Sequence, residues 1–338
     1  MISGQVRAAI VGAGLMGRWH ADAIQRVGGV VAIVADPDPD RGAALAEEFG
    51  ASSTVRTGDA LTRQLVDVVH VTTPPSDHAY AIRAAMESNL HVLAEKPLAP
   101  SAAVTAELYS MAATRSLLLC PVHQSLFQPG IVKLLHAAPG LGRIRQVAAV
   151  ICTAGVKGGD DAARDQLVCD VVPHPLSLAA RLIPGGISGT RWQVSRAAAG
   201  EVQISGSKDG VSISILMSTR GRPPRNVLSV TGETGSMHAD LYHGFAFGEH
   251  RTLSKANKIV RPFGNAAGTL TAATTNLARR IARREQAFPG LRELVRKFYD
   301  AVKSDGMPPI SVSETLDVAV ERDTIIRALR LEGAKPLN

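Results

Sequence analysis

The chain has 338 residues, enough for roughly two domains. With 45% hydrophobic and 20% charged residues and a net charge of +7, it is a folded globular protein with a mildly basic surface, not a disordered one. It has no run near the ~18 apolar residues of a membrane helix, and Cys120, Cys152 and Cys169 form no CxxC pair, which argues against a membrane span, a disulfide framework and a cysteine zinc site. Aromatic residues are only 4%, with no finger or basic zipper, so nucleic acid is not an expected partner. The opening residues show no basic segment followed by a long apolar core, so the expected location is cytoplasmic. Residues 1–121 alternate short apolar runs with helical patterns. The strands are Val6–Val11, Val30–Ala35, Val66–Val71, Leu90–Ala94 and Leu117–Val122. The helices are Leu15–Val27, Arg41–Phe49 (closed by Gly50), Asp77–Ser88 and Ser101–Thr114. Short apolar strands separated by helices predict a parallel sheet covered on both faces, a doubly wound α/β domain of the Rossmann kind.

The texture changes near residue 125. Gly130–Ala137 reads as a helix and Ile144–Cys152 as a strand. Trp192–Ala197, Val211–Thr219, Asn226–Thr231 and Ser236–Leu241 follow as further strands, separated by turn residues. Helices are expected at Val168–Leu182, Leu291–Val302 and Glu314–Leu331. This predicts an α+β second domain with an open, mostly antiparallel sheet. The expected domains are 1–123 and 124–338, with the last helix a candidate to pack back on the first.

Gly12-Ala13-Gly14-Leu15-Met16-Gly17 is GxGxxG between a strand and a helix, and a second strand ends at Asp36. Gly12 permits the tight turn, Gly14 the approach of a pyrophosphate, and Gly17 close helix packing. Leu15, Met16 and Gly17 open the helix, whose N-terminus favours phosphates. Asp36 accepts from the ribose hydroxyls and repels a 2′-phosphate, so NAD is favoured; Arg41 nearby leaves NADP open.

The stretches "AAIVGAGLMGRWHADAI" and "DVVHVTTPPSDHAYAIRAAMESNLHVLAEKPLA", with Glu95-Lys96-Pro97 after a buried strand and, less closely, "LGRIRQV", resemble the glucose-fructose oxidoreductase, inositol dehydrogenase and MocA family. The resemblance implies a Rossmann domain followed by a domain whose open sheet commonly serves as an oligomer interface. A homodimer or homotetramer is therefore expected. It implies NAD contacts from Thr72, Thr73, Pro74, His78, Glu95, Lys96 and Gln124 beside the glycine loop. It also implies an Asp-x-x-x-His pair acting with the Glu-Lys-Pro lysine. Asp170-Val171-Val172-Pro173-His174 has that spacing, and i,i+4 puts both side chains on one helical face. Pro173 requires a position near a helix start, which places Asp170 at or before the N-cap.

These residues suit hydride transfer between nicotinamide and a hydroxyl or keto carbon of a sugar, cyclitol or related polyol. His174 is the base, Lys96 stabilises alkoxide charge, and Asp170 orients His174 or binds a second hydroxyl. Lys96, His123, Asp170 and His174 are the expected substrate contacts, and no metal is expected. Glu95 is expected to anchor the Lys96 backbone or the nicotinamide ribose. Pro97 is a candidate cis proline, and His20 a packing or capping residue. The family pattern is altered at Ser177, where an aspartate is common, and at Gln124 and Leu126, where asparagine and arginine are usual. Redox-neutral cofactor recycling, imine-type reduction and a non-enzymatic NAD-binding regulator stay open as alternatives. Arg220, Arg222 and Arg225, and the amphipathic basic segment 277–284 with Leu270, Leu277 and Ile281 as its apolar stripe, read as solvated surface or as contacts for an anionic substrate or partner. Gly155–Asp165 is a connection or a lid.

Overall fold

The computed structural model describes residues 4–153, 160–250, 255–285 and 287–333. The chain forms two units, Met1–Gln124 with Gly290–Ala319, and Ser125–Pro289 with Val320–Asn338.

The first unit runs β1 (Arg7–Val11), α1 (Leu15–Arg26), β2 (Val30–Ala35), α2 (Pro39–Phe49), β3 (Ser52–Thr54), α3 (Thr57–Ala60), β4 (Val68–Val71), α4 (His78–Glu87), β5 (His91–Ala94), α5 (Ala102–Thr114) and β6 (Leu119–Pro121). The sheet order is β3-β2-β1-β4-β5-β6, with every pairing parallel. Strand order therefore reverses between β1 and β4, the place where such sheets bind ligands beyond the strand C-termini. The strands are Val-, Ile- and Ala-rich because helices cover both faces. Ala9, Val11, Val69, Val71, Val92 and Ala94 lie in one buried core. β3 and α3 were not foreseen, since three polar residues and one short turn carry no periodicity.

The second unit runs α6 (Pro129–Ala137), β7 (Ile144–Cys152), α7 (Asp161–Val171), α8 (Pro173–Leu182), β8 (Arg191–Ala198), β9 (Glu201–Lys208), β10 (Val211–Ser218), β11 (Arg225–Gly232), β12 (Gly235–Asp240), β13 (Phe245–His250) and α9 (Lys255–Arg283). Its sheet order is β13-β12-β11-β7-β10-β9-β8. β7 and β10 pair in parallel and the other pairings are antiparallel, so the sheet is mixed and mostly antiparallel. β9 and β13 were missed. In β9 only Val202 and Ile204 reach the core among Ser, Gly and Lys, so its apolar signal is thin. The expected helix Val168–Leu182 is two helices. Pro173 supplies no N–H, so α7 ends at Val171 and α8 starts with Pro173 in its first turn. Most of the 29-residue α9 also escaped the sequence reading.

α10 (Leu291–Ser304) and α11 (Val312–Gly333) complete the chain. Segment 290–319, expected in the second domain, groups with the first unit. The cause is the apolar face of α10: Leu294, Val295, Phe298 and Tyr299 are buried, and α10 packs on α1. The next part of α11 belongs to the second unit, where Glu321 accepts from Gly189 N at 2.8 Å and Trp192 Nε1 at 2.6 Å.

Candidate dinucleotide site and catalytic residues

The glycine loop is built by close backbone approach. Gly12 has φ +104°, and a Cβ there would lie 2.7 Å from the carbonyl carbon of Thr72. A Cβ on Gly17 would lie 2.1 Å from the Gly12 oxygen, so α1 packs this closely on the loop only through glycine. Gly14 differs: a Cβ there meets nothing within 4 Å, and Gly14 caps α1 without a side-chain hydrogen bond. It therefore presents open backbone at the positive end of a helix, with Leu15 exposed beside it.

Asp36 is buried at the end of β2. Its carboxylate accepts from Ala13 N at 2.7 Å and Asp38 N at 2.9 Å, and Arg41 Nε lies 3.6 Å from it. It thus also ties the glycine loop to the second strand. Each carboxylate oxygen has a second lone-pair direction, so acceptors remain for ribose hydroxyls.

Thr72 Oγ1 donates to Gly12 O at 2.7 Å, locking β4 to the loop. Thr73 Oγ1 is buried with no hydrogen-bond partner in the protein. A buried hydroxyl of that kind is costly unless a ligand satisfies it. Together with the open backbone at Gly14 and the Asp36 acceptors, it fits a bound dinucleotide. Gln124 Oε1, just after β6, is likewise buried and unpartnered.

His78, expected as a cofactor contact, has both ring nitrogens on backbone carbonyls: Nδ1 on Pro97 O at 2.7 Å and Nε2 on Thr73 O at 2.8 Å. Carbonyls only accept, so the ring serves as the donor toward the two stretches of chain it lies between. His78 therefore staples the Thr73 loop to the Lys96-Pro97 turn, and Pro74 lies in the connection it braces. The Lys96–Pro97 peptide is cis, in line with Pro97 as a candidate cis proline.

Behind Lys96 runs a buried polar chain. Tyr299 OH lies 2.9 Å from His70 Nε2, His70 Nδ1 2.8 Å from His20 Nδ1, and His20 Nε2 3.3 Å from Glu95 Oε1. Lys96 N donates to Glu95 Oε2 at 3.3 Å. An ionised carboxylate only accepts, so His20 Nε2 carries hydrogen. For neutral imidazoles the rest follows: His70 Nδ1–H donates to His20 Nδ1, and Tyr299 O–H donates to His70 Nε2. Directions of titration agree. Burial, with His20 adding to it, holds the His70 imidazole well below its usual value and so neutral. Burial alone would raise the Glu95 carboxyl, but the hydrogen bond from His20, with the charge and backbone N–H of Lys96, brings it below the ordinary carboxylate range. Burial pushes the Tyr299 phenol well up, so it stays a donor. His20 is thus a member of a polar relay, beyond the packing role expected of it. Glu95 anchors the Lys96 backbone. His123 is buried just past β6 in the same unit.

In the second unit Asp170 lies in the last turn of α7 and His174 in the first turn of α8. Val172 is the N-cap of α8, so Asp170 stands before that cap, as Pro173 predicts, and at the same time lies in the last turn of a helix of its own. Val172 between them keeps helical angles (φ −54°, ψ −30°), and Leu176 N still reaches Val172 O at 3.3 Å, so the one-turn spacing survives the proline. Gln166 Nε2 donates to Asp170 Oδ1 at 2.8 Å. Ser177 is buried and donates to His174 O at 2.8 Å, which braces the first turn of α8. Leu126, at the altered family position, is buried. Of the candidate lid, Gly155–Gly159 lies outside the described residues. Asp160 caps α7 through Ala163 N at 2.8 Å, and Asp161–Asp165 is helix rather than loop. Among the described residues no group of three His, Cys, Asp or Glu side chains is arranged to hold a metal ion.

A doubly wound parallel sheet with a phosphate-type glycine loop at its switch point and a buried acid at the end of the second strand is the architecture of a dinucleotide-binding protein. Residues 6–123 match the family model described as "Oxidoreductase family, NAD-binding Rossmann fold", the glucose-fructose oxidoreductase, inositol dehydrogenase and MocA group. The chain is 30% identical over 183 residues to a dTDP-3,4-didehydro-2,6-dideoxy-alpha-D-glucose 3-reductase of Saccharopolyspora spinosa, which is 52% of this chain and 55% of that protein. It is 37% identical over 102 residues to an inositol 2-dehydrogenase of Corynebacterium glutamicum, 29% of this chain and 30% of that one. These matches thus span about half or less of the relatives' length. Among solved structures, UDP-N-acetylglucosamine 3-dehydrogenase from Acidithiobacillus ferrooxidans superposes with a TM-score of 0.77 at 20% identity, covering 98% of this chain and 99% of that one. Levoglucosan dehydrogenase, solved with NADH and levoglucosan, superposes with a TM-score of 0.79 at 18% identity over 97% and 98%. At these identities the likeness is one of fold, and it extends over nearly the whole chain.

Proposed function

We propose that the chain is an NAD-dependent oxidoreductase, with NADP as the lesser cofactor. It moves a hydride between nicotinamide and a hydroxyl or keto carbon of a sugar, cyclitol or related polyol. The observation that carries this reading is the braced Glu95-Lys96-Pro97 turn at the C-terminal end of β5, in the same unit as a complete dinucleotide loop. A fold that only stored NAD has no need to fix a lysine there through two separate polar braces. The relatives named above act, by name, on a deoxysugar ketone, an inositol or a nucleotide-linked sugar, which supports the substrate class.

The bound nicotinamide supplies the hydride acceptor or donor. Lys96 donates to the reacting oxygen and stabilises alkoxide charge. His174 holds the proton that leaves or joins that oxygen, and Asp170 orients His174 or a neighbouring hydroxyl. His123 and Gln124 contribute contacts to nicotinamide and substrate. The second unit supplies the remaining substrate contacts and, through its open sheet, self-association into a dimer or tetramer.

The test is absorbance at 340 nm with NAD and a panel of inositols, free sugars and nucleotide-linked sugars. NADH formation with one of these classes is expected. Lys96→Met should lower it by about 10²- to 10⁴-fold while NADH still binds. Saturable NAD binding with no NADH from any polyol would overturn hydride exchange with solution substrates and favour redox-neutral recycling of the cofactor.

A further inference from the structure

We propose that Tyr299, His70 and His20 are positioning residues for the hydride transfer: their aligned hydrogen bonds keep Glu95 ionised, and the Glu95 charge keeps Lys96 an ammonium donor. The role given to Lys96 above is the premise. The groups come from four separate places in the first unit: α1, β4, α10 and the turn after β5. His20 and His70 have no exposure, Tyr299 is 4% exposed and Glu95 8%. β4 reads Val-Val-His-Val, and its three valines are fully buried. A histidine in such a strand costs desolvation that a fourth apolar residue would not.

The directions of the bonds say what the chain is for. Tyr299 donates to His70, His70 to His20 and His20 to Glu95. Every positive end points toward the carboxylate, and successive bonds polarise one another. Such a chain stabilises an anion at its end far more than a neutral carboxylic acid. Holding the Lys96 amide, by contrast, needs an acceptor rather than a charge: an uncharged amide oxygen at the same place would serve. The buried charge therefore answers to something other than the backbone.

Lys96 is the cation beside it. The Lys96 charge is among the influences that hold Glu95 ionised, and a Coulomb interaction is mutual, so Glu95 equally favours the ammonium form of Lys96. Neighbouring titratable groups supply no such negative charge. His78, on α4, lies between the Pro97 and Thr73 carbonyls, and His123, past β6, is a further imidazole. Asp67, whose charge bears on Tyr299, is paired with Arg7 at 2.8 Å.

The experiment titrates Lys96 directly. The full chain is reductively methylated with carbon-13 formaldehyde, and the dimethyl-Lys96 signal is identified by its loss in Lys96→Arg. Lys96 is partly exposed, so the reagent reaches it. Glu95→Gln keeps the acceptor and the shape and removes the charge. It should lower the Lys96 midpoint by at least about 0.5 pH unit, a threefold change in the ammonium equilibrium. His20→Leu leaves Glu95 ionisable but takes away its donor. The carboxyl should then take up a proton between about pH 5 and 8, seen as a second step in the Lys96 signal that the parent lacks. His20→Gln, whose amide still donates, should restore the parent's single step. In turnover of a polyol, Glu95→Gln should move the alkaline limb of kcat down with the Lys96 midpoint, whereas a change that only loosens the turn lowers kcat equally at every pH. Circular dichroism and NADH binding establish folding, and if His20→Leu does not fold, Glu95→Gln decides alone. An unmoved Lys96 midpoint in Glu95→Gln overturns the proposal, as does a single step in folded His20→Leu. The titration needs no substrate, so a failure of every polyol to yield NADH would refute hydride exchange separately and leave the Lys96 midpoint to decide the electrostatic coupling.

Discussion

The buried chain from Tyr299 to Lys96 makes a quantitative prediction. Tyr299→Phe removes one oxygen and keeps the ring, so packing against His70 is preserved; the two rings meet edge-on, with centroids 5.8 Å apart. What is lost is the donor to His70 Nε2 at 2.9 Å. Both groups are fully buried, so water does not replace it, and the orphaned acceptor costs about 1–3 kcal/mol. Upstream bonds are polarised by the ionised Glu95, which argues for the upper half of that range. For a unit of about 150 residues this corresponds to a fall of roughly 4–12 °C in its melting temperature. The assay is thermal unfolding at pH 7.5, reading the transition that NADH raises, since a ligand stabilises the unit that binds it. His70→Phe and the Tyr299→Phe/His70→Phe double variant complete a cycle. The double variant should cost less than the sum, because with His70 gone no acceptor is left unpaired. A shift below about 1 °C, or strict additivity, would refute the directed chain.

Acid should weaken the first unit in a definite window. His70 and His91 are held below their usual value in the folded state, so their stabilisation is present above ~pH 6.5 and is lost as pH falls below it, at up to about 1.4 kcal/mol per pH unit for each. Glu95, also lowered, contributes above the ordinary carboxylate pKa and loses that contribution as pH falls through its folded value. Melting between pH 7.5 and 5.5 checks this, and a unit that gains stability on acidification would contradict it. Gly17→Ala should abolish NADH binding or unfold the loop, because its Cβ would sit 2.1 Å from Gly12 O; a fluorescence titration showing affinity within about twofold of the parent would refute that packing argument. His78→Leu should weaken NADH binding and lower activity together, since it frees both the Thr73 loop and the Lys96-Pro97 turn; full retention of both by the folded variant would show that the staple is dispensable.

The first unit was legible because its signals are local. Five of its strands are short apolar runs buried on both faces, and the need for glycine at 17 arises from Gly12 only five residues earlier. The cis Lys96–Pro97 bond was foreseen from a three-residue motif. What escaped depended on partners far away in sequence. Nothing near His20 announces that it will meet His70, 50 residues on, and nothing near His70 announces Tyr299, 229 residues on. Each residue alone reads as a packing histidine or a core tyrosine, and only α10 returning to α1 completes the chain. β9 and β13 failed for a related reason: their polar and glycine residues hydrogen-bond to neighbouring strands through backbone that has no sequence signature. Asp170 illustrates the opposite case. Its spacing from His174 is readable, and so is its place ahead of the cap of the helix that Pro173 opens; what has no local signal is that a first helix runs right up to that cap, which it does because the residue before the proline keeps helical angles. The residues proposed for chemistry therefore carry local motifs, while those that hold them in place are fixed by long-range pairing. Substitutions of the second kind, such as Tyr299→Phe, are accordingly the sharper test of whether the structure rather than the motif explains Lys96.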